Sequence, residues 1–183
     1  MHRLDDEVAR SFARSIECDP LATVDTVEVA FMTESDRPAL CRMLEGSDDF
    51  PQGLLGYYRR GGGGRHGTLV AWSGAEVVGM LTGSFDSDFF EGGAFDSFDL
   101  RTAPHAFLDR VHVHESARGA GVGRALIVTY AMEAVARGCT FIGGSVDLSS
   151  DPTARRTFFT RLGFSIRDLD KFGAQPSQIL SAT

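Results

Sequence analysis

Residues 107–124 read FLDRVHVHESARGAGVGR and contain a strand, a glycine-rich loop and the start of a helix. The segment 107–113 is predicted to be a strand. The three glycines of the loop follow it, and apolar side chains return at helical spacing from Leu126 onward. Glycines at such a junction allow a tight turn that exposes consecutive backbone N–H groups at a helix N-terminus. Those donors and the helix dipole favour a phosphate. A glycine-rich connection without a ligand is the alternative interpretation.

The spacing of the glycines distinguishes three types of phosphate loop. A Walker loop requires a Gly-Lys pair, which the sequence lacks. A dinucleotide fingerprint requires Gly or Ala at its sixth position, where the two possible frames place Arg124 and Leu126. The pattern R/Q-x-x-G-x-G/A does fit, with Arg118, Gly121 and Gly123 at its fixed positions.

The rest of the chain alternates strands with helices. Strands are predicted at 26–32, in a hairpin over 68–85 that turns at Ser73-Gly74, at 107–113, at 139–148 and at 165–169. Helices are predicted at 4–17, from Thr33 or Ser35 to about Glu45, at 54–58, from the glycine loop to about Gly138, and from Asp151 to Gly163. This order indicates an α/β fold: a single-domain mixed β-sheet flanked by helices. Residues 1–23 are expected to form a helical extension and residues 24–183 the domain.

Composition narrows the classes of partner. The 183 residues carry 18 basic and 25 acidic side chains, and the net charge of −7 opposes non-specific binding to nucleic acid. We expect a cytoplasmic protein without membrane association, because no apolar run is long enough to span a bilayer and the N-terminus has no apolar signal core. Cys18, Cys41 and Cys139 match no metal or redox spacing, so reduced thiols and no metal are expected.

Beyond the loop itself, three stretches make the chain resemble the GCN5-related N-acetyltransferase (GNAT) family. Val111-His112-Val113 is similar to the end of the strand that precedes the family's R/Q-x-x-G-x-G/A loop. Residues 154–164, ARRTFFTRLGF, resemble a later family helix that ends in Leu-Gly-Phe, and residues 26–40 resemble the first strand and helix. The resemblance covers about residues 30–170, and it implies the acyl-CoA N-acyltransferase fold.

The resemblance implies acetyl-CoA, or another acyl-CoA, as co-substrate. In the family, backbone groups of the central strand hold the pantetheine arm, which maps onto Val111, His112 and Val113. The pyrophosphate meets the loop, which maps onto Arg118, Gly119, Ala120, Gly121, Val122, Gly123 and Arg124. The family also splays this strand from a parallel neighbour. The candidate neighbour is 140–148, where Gly143-Gly144 suits a bulge or a close backbone approach.

Asp109 is the candidate catalytic residue, acting as a base on the acceptor amine or as a group that orients it. The alternative is that it pairs with an arginine such as Arg110 or Arg101. Asp109 shares a predicted strand face with Val111 and Val113, whereas His112, a second candidate proton acceptor, points to the other face if the alternation is regular. The resemblance also places a general acid, often Tyr, at the position of Phe159. Tyr57 or Tyr58 is a candidate substitute.

The sequence therefore predicts an N-acetyltransferase that transfers an acetyl group to a primary amine by direct attack on the thioester. The alternative is a weakly active or inactive acyl-CoA-binding regulatory module. The acceptor is expected to be a small-molecule or protein amine. The oligomeric state is left open, with a homodimer as one alternative. A cationic acceptor is suggested by the insertion at 84–100, whose only charged side chains are acidic and alternate with phenylalanines. The other interpretation of the insertion is a solvated loop whose rings pack onto the sheet or onto a partner subunit.

Overall fold

The computed structural model describes residues 27–48, 50–62, 67–148 and 151–182. The predicted helix at 4–17 and the proposed end of the extension at residue 23 lie outside these ranges. Within them, the strands are β1 Val27–Phe31, β2 Thr68–Ser73, β3 Glu76–Ser87, β4 His105–Val113, β5 Ile142–Ser145, β6 Ser165–Arg167 and β7 Lys171–Ala174. The helices are α1 Arg37–Glu45, α2 Gln52–Arg59, α3 Val122–Ala136, α4 Thr153–Arg161 and α5 Pro176–Ser181.

The strands form one seven-stranded sheet in the order β1-β2-β3-β4-β5-β7-β6. β4 and β5 are parallel, whereas the pairs β1–β2, β2–β3, β5–β7 and β6–β7 are antiparallel. The predicted mixed sheet is thus confirmed. The single strand predicted at 165–169 is wrong, because Asp168 and Leu169 have φ values of 48° and 69° and turn the chain back into β7. Positive φ at two successive residues is the geometry of a tight hairpin turn.

Helices α3 and α4 each end at a glycine, as the sequence predicted. After α3, Gly138 has φ +75°, its N–H donates to the Val135 carbonyl, and the Cys139 N–H donates to the Ala134 carbonyl at 2.8 Å. After α4, Gly163 has φ +87° and the same pair of bonds forms. This pattern satisfies the last carbonyls of each helix and fixes the direction in which the chain leaves it.

The described residues form two compact units, one made of those up to Thr82 together with Arg110–Leu126, and the other of those in 83–109 and from Ile127 onward. In the first unit, the apolar faces of α1 and α2 pack against β2 and β3 around Leu40, Leu44, Val70 and Met80. Arg37 is also buried there, and its guanidinium donates to the carbonyls of Tyr58 and Gly62.

In the second unit, the insertion after β3 packs onto the sheet through its aromatic rings. Phe89 and Phe95 are buried and stack at 4.2 Å between centroids, with Phe141 and Phe98 beside them. His105 joins the cluster, because its Nδ1 accepts from the Phe89 N–H at 3.0 Å and its Nε2 lies 2.7 Å from the Arg101 carbonyl.

The expectation that the phenylalanines of the insertion face an acceptor is therefore wrong for most of them. Phe85, Phe89 and Phe95 are buried, Phe98 is half-buried, and Phe90 alone of the five is exposed. Burial of large aromatic surface stabilises the fold, so these rings serve the core. The insertion's acidic side chains are all exposed: Asp86, Asp88, Glu91, Asp96 and Asp99.

β4 and β5 pair over three positions only, ending at Leu108 opposite Gly144. β5 continues to Ser145, where its partner is β7, and β4 continues to Val113. The predicted close approach at Gly143-Gly144 is confirmed. An added Cβ on Gly143 would lie 2.7 Å from the Phe95 ring, and one on Gly144 would lie 2.6 Å from the Leu108 carbonyl oxygen.

Gly144→Ala tests whether this close approach requires glycine. We expect it to lower the free energy of unfolding by about 1–3 kcal/mol, since the new methyl group meets backbone that cannot move aside. The control is Gly53→Ala in α2, where nothing lies within 4 Å of the added Cβ and helix propensity favours Ala. Urea denaturation measures both. Equal stability of the two variants would contradict the argument.

Candidate functional site

The loop between β4 and α3 turns through two glycines with left-handed backbone. Gly119 and Gly121 have φ of +80° and +82°, a region that glycine enters at no steric cost. The Ala125 N–H donates to the Gly121 carbonyl at 2.9 Å and is the first bond of the helical ladder. The amides of Val122 and Gly123 precede that ladder, at the positive end of a 15-residue helix. This arrangement suits an anionic ligand.

Val122 fixes the start of α3 against the sheet. Its side chain is buried, and a Cβ built on Gly79 of β3 would lie 2.9 Å from its Cγ1. Gly79 is therefore the residue that lets β3 and the first turn of α3 approach closely. Within the loop, Ala120 is half-buried, while Gly119 and Arg124 are exposed.

Two side chains of β4 and one just after it face the segment between α1 and α2 in alternation. Arg110 lies over the Phe50 ring at 5.8 Å, His112 packs edge-on against the same ring, and His114 lies near Gly46. The alternation predicted for His112 and His114 is thus regular in this part of the strand. The side chain of His112 therefore packs against the Phe50 ring.

A hydrogen bond defines the state of the His112 ring. Nε2 of His112 lies 3.0 Å from Oγ of Ser47, and that hydroxyl donates to the Met43 carbonyl at 3.0 Å. Since the Ser47 proton is used, its oxygen accepts from His112 Nε2–H. In the neutral ring the lone pair is then on Nδ1, so Nε2 is not the atom of His112 that could accept a proton.

Arg118 folds back onto the strand that precedes it. Its Nε donates to the Val113 carbonyl at 3.1 Å, and its N–H donates to the Glu115 carbonyl at 3.3 Å. The arginine of the motif thereby links the glycine turn to the end of β4. A carbonyl has two lone pairs, so Val113 retains acceptor capacity.

Asp109 is exposed and follows Leu108, the last residue of β4 that pairs with β5. Its position is directly after the point where the two strands stop pairing. It lies two residues before Val111 on the same strand, so the candidate base precedes the candidate pantetheine segment directly.

Phe159 belongs to the core of the second unit. It is buried, stacks on Phe172 at 3.9 Å between centroids, and meets Phe164 edge-on. No proton donor therefore comes from this position. Of the two suggested substitutes, Tyr58 is buried and Tyr57 is 44% exposed, so Tyr57 is the more accessible phenol.

Asp151 lies two residues before the start of α4 at Thr153. Its carboxylate accepts from the Thr153 hydroxyl at 2.6 Å and from the Thr153 N–H at 2.9 Å. These hydrogen bonds hold the pKa of Asp151 below its ordinary value. The helix predicted to begin at Asp151 begins at Thr153 with Pro152 as its N-cap, and the ionised Asp151 has no proton to give at neutral pH.

Sequence reasoning missed two polar groups that the structure makes prominent. Ser47 bonds His112, and no motif marks it. Tyr130 lies on the apolar face of α3, yet its hydroxyl lies 2.9 Å from two backbone carbonyls, those of Ser84 and Phe107. Periodicity detected its burial, but no sequence signal shows what a buried hydroxyl bonds.

Comparison with known proteins identifies the family of this chain. The model of the Acetyltransferase (GNAT) family matches residues 34–164. This chain belongs to the GNAT family. Its members are acetyltransferases that use acetyl-CoA, and the matched range contains the glycine turn, β4 and all of α4.

Solved structures show that this GNAT chain has the family fold over most of its length. An acetyltransferase from Thermus thermophilus is 21% identical, with a TM-score of 0.61, and the match covers 83% of this chain and 98% of that one. The ribosomal-protein-S18-alanine N-acetyltransferase of Escherichia coli is 15% identical (TM-score 0.60; 82% and 94% covered). The PaiA N-acetyltransferase of Thermoplasma acidophilum, solved with coenzyme A, is 11% identical (TM-score 0.59; 82% and 99% covered).

A search of curated proteins found no match to this GNAT chain. In the ranges that the structure describes, no helix has the length and apolar character to cross a membrane. Over the same ranges, no three His, Cys, Asp or Glu side chains are grouped so as to hold a metal ion.

Gly123→Leu tests the glycine turn as the donor-binding element of this GNAT protein. Gly123 is the second residue of α3 and is not among the glycines with positive φ, so Leu fits the backbone but places bulk beside the amides. We expect acetyl-CoA affinity to fall at least ~10-fold, equivalent to ~1.4 kcal/mol. Isothermal calorimetry measures it.

The matched control is Gly53→Leu, because Gly53 is the second residue of α2 and an added Cβ there meets nothing within 4 Å. This variant should bind acetyl-CoA as the unmodified protein does. Unchanged affinity in folded Gly123→Leu would show that the donor binds elsewhere.

Proposed function

We propose that this GNAT protein transfers an acetyl group from acetyl-CoA to a primary amine by direct attack of the amine on the thioester. The observation that carries the proposal is the left-handed turn at Gly119 and Gly121, which exposes the first amides of α3 directly after β4. Two phosphates of the donor are anions that such amides recognise. Val111, His112 and Val113 would hold the pantetheine arm through backbone groups, and residues Arg118–Arg124 the pyrophosphate.

The acceptor must lose a proton during the reaction. An amine with a pKa near 10.4 is only about one part in a thousand neutral near pH 7.4, a deficit worth ~4 kcal/mol. Asp109 would accept this proton directly or through a water, or would orient the amine. The nitrogen forms a bond to the carbonyl carbon as the carbon–sulfur bond breaks. The electron pair of that bond leaves with sulfur.

The departing thiolate needs no proton from Phe159. A thiol with a pKa near 8.5 leaves tolerably as its anion and is protonated afterwards by solvent. The buried phenylalanine stack around Phe159 therefore lowers the expected rate without abolishing the reaction. The cost of a missing general acid is typically ~10²–10⁴-fold where acid catalysis matters.

The alternative function is an acyl-CoA-binding module without turnover. It is favoured by one observation, the use of Phe159 in the core, which removes the family's usual acid. Release of CoA thiol across a panel of amines separates the two functions. Binding of acetyl-CoA without thiol release, for every amine, would establish the module and overturn the enzyme.

Asp109→Asn should lower turnover far more than it weakens acetyl-CoA binding, because the carboxylate acts on the amine and not on the donor. The expected loss in kcat/KM for the amine is ~10²-fold or more if Asp109 is the base, and less if it orients the amine. Steady-state kinetics and calorimetry give the two quantities. A variant with unchanged kcat/KM at neutral pH would remove Asp109 from the chemistry.

The acidic insertion supports a cationic acceptor. Its five carboxylates are exposed and Phe90 lies among them, so charge attracts the amine while the buried rings hold the loop. A single exposed carboxylate contributes only ~0–1 kcal/mol, but several together raise the association rate and make it depend on salt. If the insertion is instead only a solvated loop, neutralising its carboxylates should not change KM for any acceptor.

Neutralising Asp86, Asp88 and Glu91 with Asn, Asn and Gln should raise KM for a polyamine ~3–10-fold at low salt. The increase should shrink at high salt and be absent for an amine with a neutral body. A control with the same change of net charge neutralises Glu28, Glu76 and Asp168, three exposed acids outside the insertion. Equal effects of the two triple variants would rule out the insertion as an acceptor site.

A further inference from the structure

Tyr130 is a buried phenol whose hydroxyl reaches two strands at once. Its side chain on α3 is fully buried, and its Oη lies 2.9 Å from the Ser84 carbonyl of β3 and 2.9 Å from the Phe107 carbonyl of β4. A hydroxyl has one proton, so the two carbonyls share it. Burial raises the pKa of Tyr130 above its ordinary value, which keeps the proton on the oxygen.

The residues around the hydroxyl leave it little freedom. The Tyr130 ring packs on Phe85 at 4.6 Å between centroids. Gly83, the residue before Ser84, has no Cβ; one built there would overlap the Tyr130 hydroxyl and lie 2.5 Å from the Phe107 carbonyl oxygen. The absence of a side chain at Gly83 thus leaves the space in which the hydroxyl and the β4 carbonyl meet.

The place where Tyr130 holds β4 is next to the end of its pairing with β5. Phe107 is the second of the three positions that pair, Leu108 is the last, and Asp109 follows. The backbone of Asp109 therefore no longer has the β5 register to fix it. Tyr130 anchors the strand from α3, two residues earlier, through a carbonyl of the same strand.

We infer that Tyr130 is a positioning residue for acetyl transfer, which sets the backbone of β4 at Phe107 and thereby the placement of Asp109. The inference rests on the proposed function, because Asp109 matters for turnover only if the protein acetylates an amine. Tyr130 does not touch the substrate and acts through the backbone. Its hydroxyl should therefore influence kcat and leave acetyl-CoA affinity alone.

Tyr130→Phe is the test, because it deletes the hydroxyl and retains the ring on Phe85. We expect kcat to fall about 5–20-fold while the Kd of acetyl-CoA stays within about twofold. The amides of Leu108 and Asp109 should exchange hydrogen faster in the folded variant. Gly83→Ala is a second route to the same defect, because its methyl group displaces the same hydroxyl and carbonyl while Tyr130 is intact.

The matched control is Cys139→Ala. The Cys139 thiol is buried and donates to the Phe85 carbonyl at 3.2 Å, so its removal deletes a side-chain bond to the neighbouring residue of β3 and none to β4. This variant should lose some stability but keep kcat and the exchange rates of Leu108 and Asp109. The same loss of kcat in Cys139→Ala and in Tyr130→Phe would reduce Tyr130 to a purely structural role.

Hydrogen exchange separates failure of this inference from failure of the proposed function. Faster exchange at Leu108 and Asp109 in Tyr130→Phe supports the positioning role even if no acetylated amine is found. Unchanged exchange, or unchanged kcat in an active enzyme, overturns it. If Asp109→Asn keeps full activity while Tyr130→Phe loses it, Tyr130 positions β4 for another group, and the role of Asp109 as its target is wrong.

Discussion

The left-handed backbone at Gly119 and Gly121 is the constraint on which the candidate site depends. A residue with a Cβ would be strained at both positions. The eight residues 114–121 connect β4 to α3, and the two left-handed glycines turn the chain into the first amides of α3. One continuous segment of chain would then bind both the pyrophosphate, through the loop, and the pantetheine arm, through β4.

In the second unit, glycines on the sheet allow phenylalanine rings to pack closely against it. Gly143 and Gly144 let the rings of Phe95 and Phe172 approach the sheet where a side chain would block them. The buried rings of the insertion fill the space next to Gly143, and Phe159 fills the space next to Phe172. The same packing explains why the family's usual acid position carries no hydroxyl here. Its ring is part of the core, and the proposed chemistry depends on the leaving ability of a thiolate.

Local patterns predicted most of the fold, and long-range contacts account for what they missed. The hairpin at Ser73-Gly74, the helix ends at Gly138 and Gly163 and the loop at Gly119–Arg124 are each set by residues close in sequence, and periodicity and glycine placement detect such features. The sequence does not predict that β6 ends at Arg167 before a three-residue turn at 168–170, because Leu169 adopts a positive φ that its residue type does not favour. The partners of His112 and Tyr130 lie 65 and 46 residues away, beyond any spacing rule.

The most direct test of the central claim is residue-resolved hydrogen exchange with and without acetyl-CoA. It reports where the donor binds, whatever the acceptor is. The account predicts that acetyl-CoA slows exchange at the amides of residues 119–124 and along 111–113, and leaves the hairpin of β6 and β7 unchanged. Saturating acetyl-CoA that protects other segments but not the amides of 119–124 would contradict it.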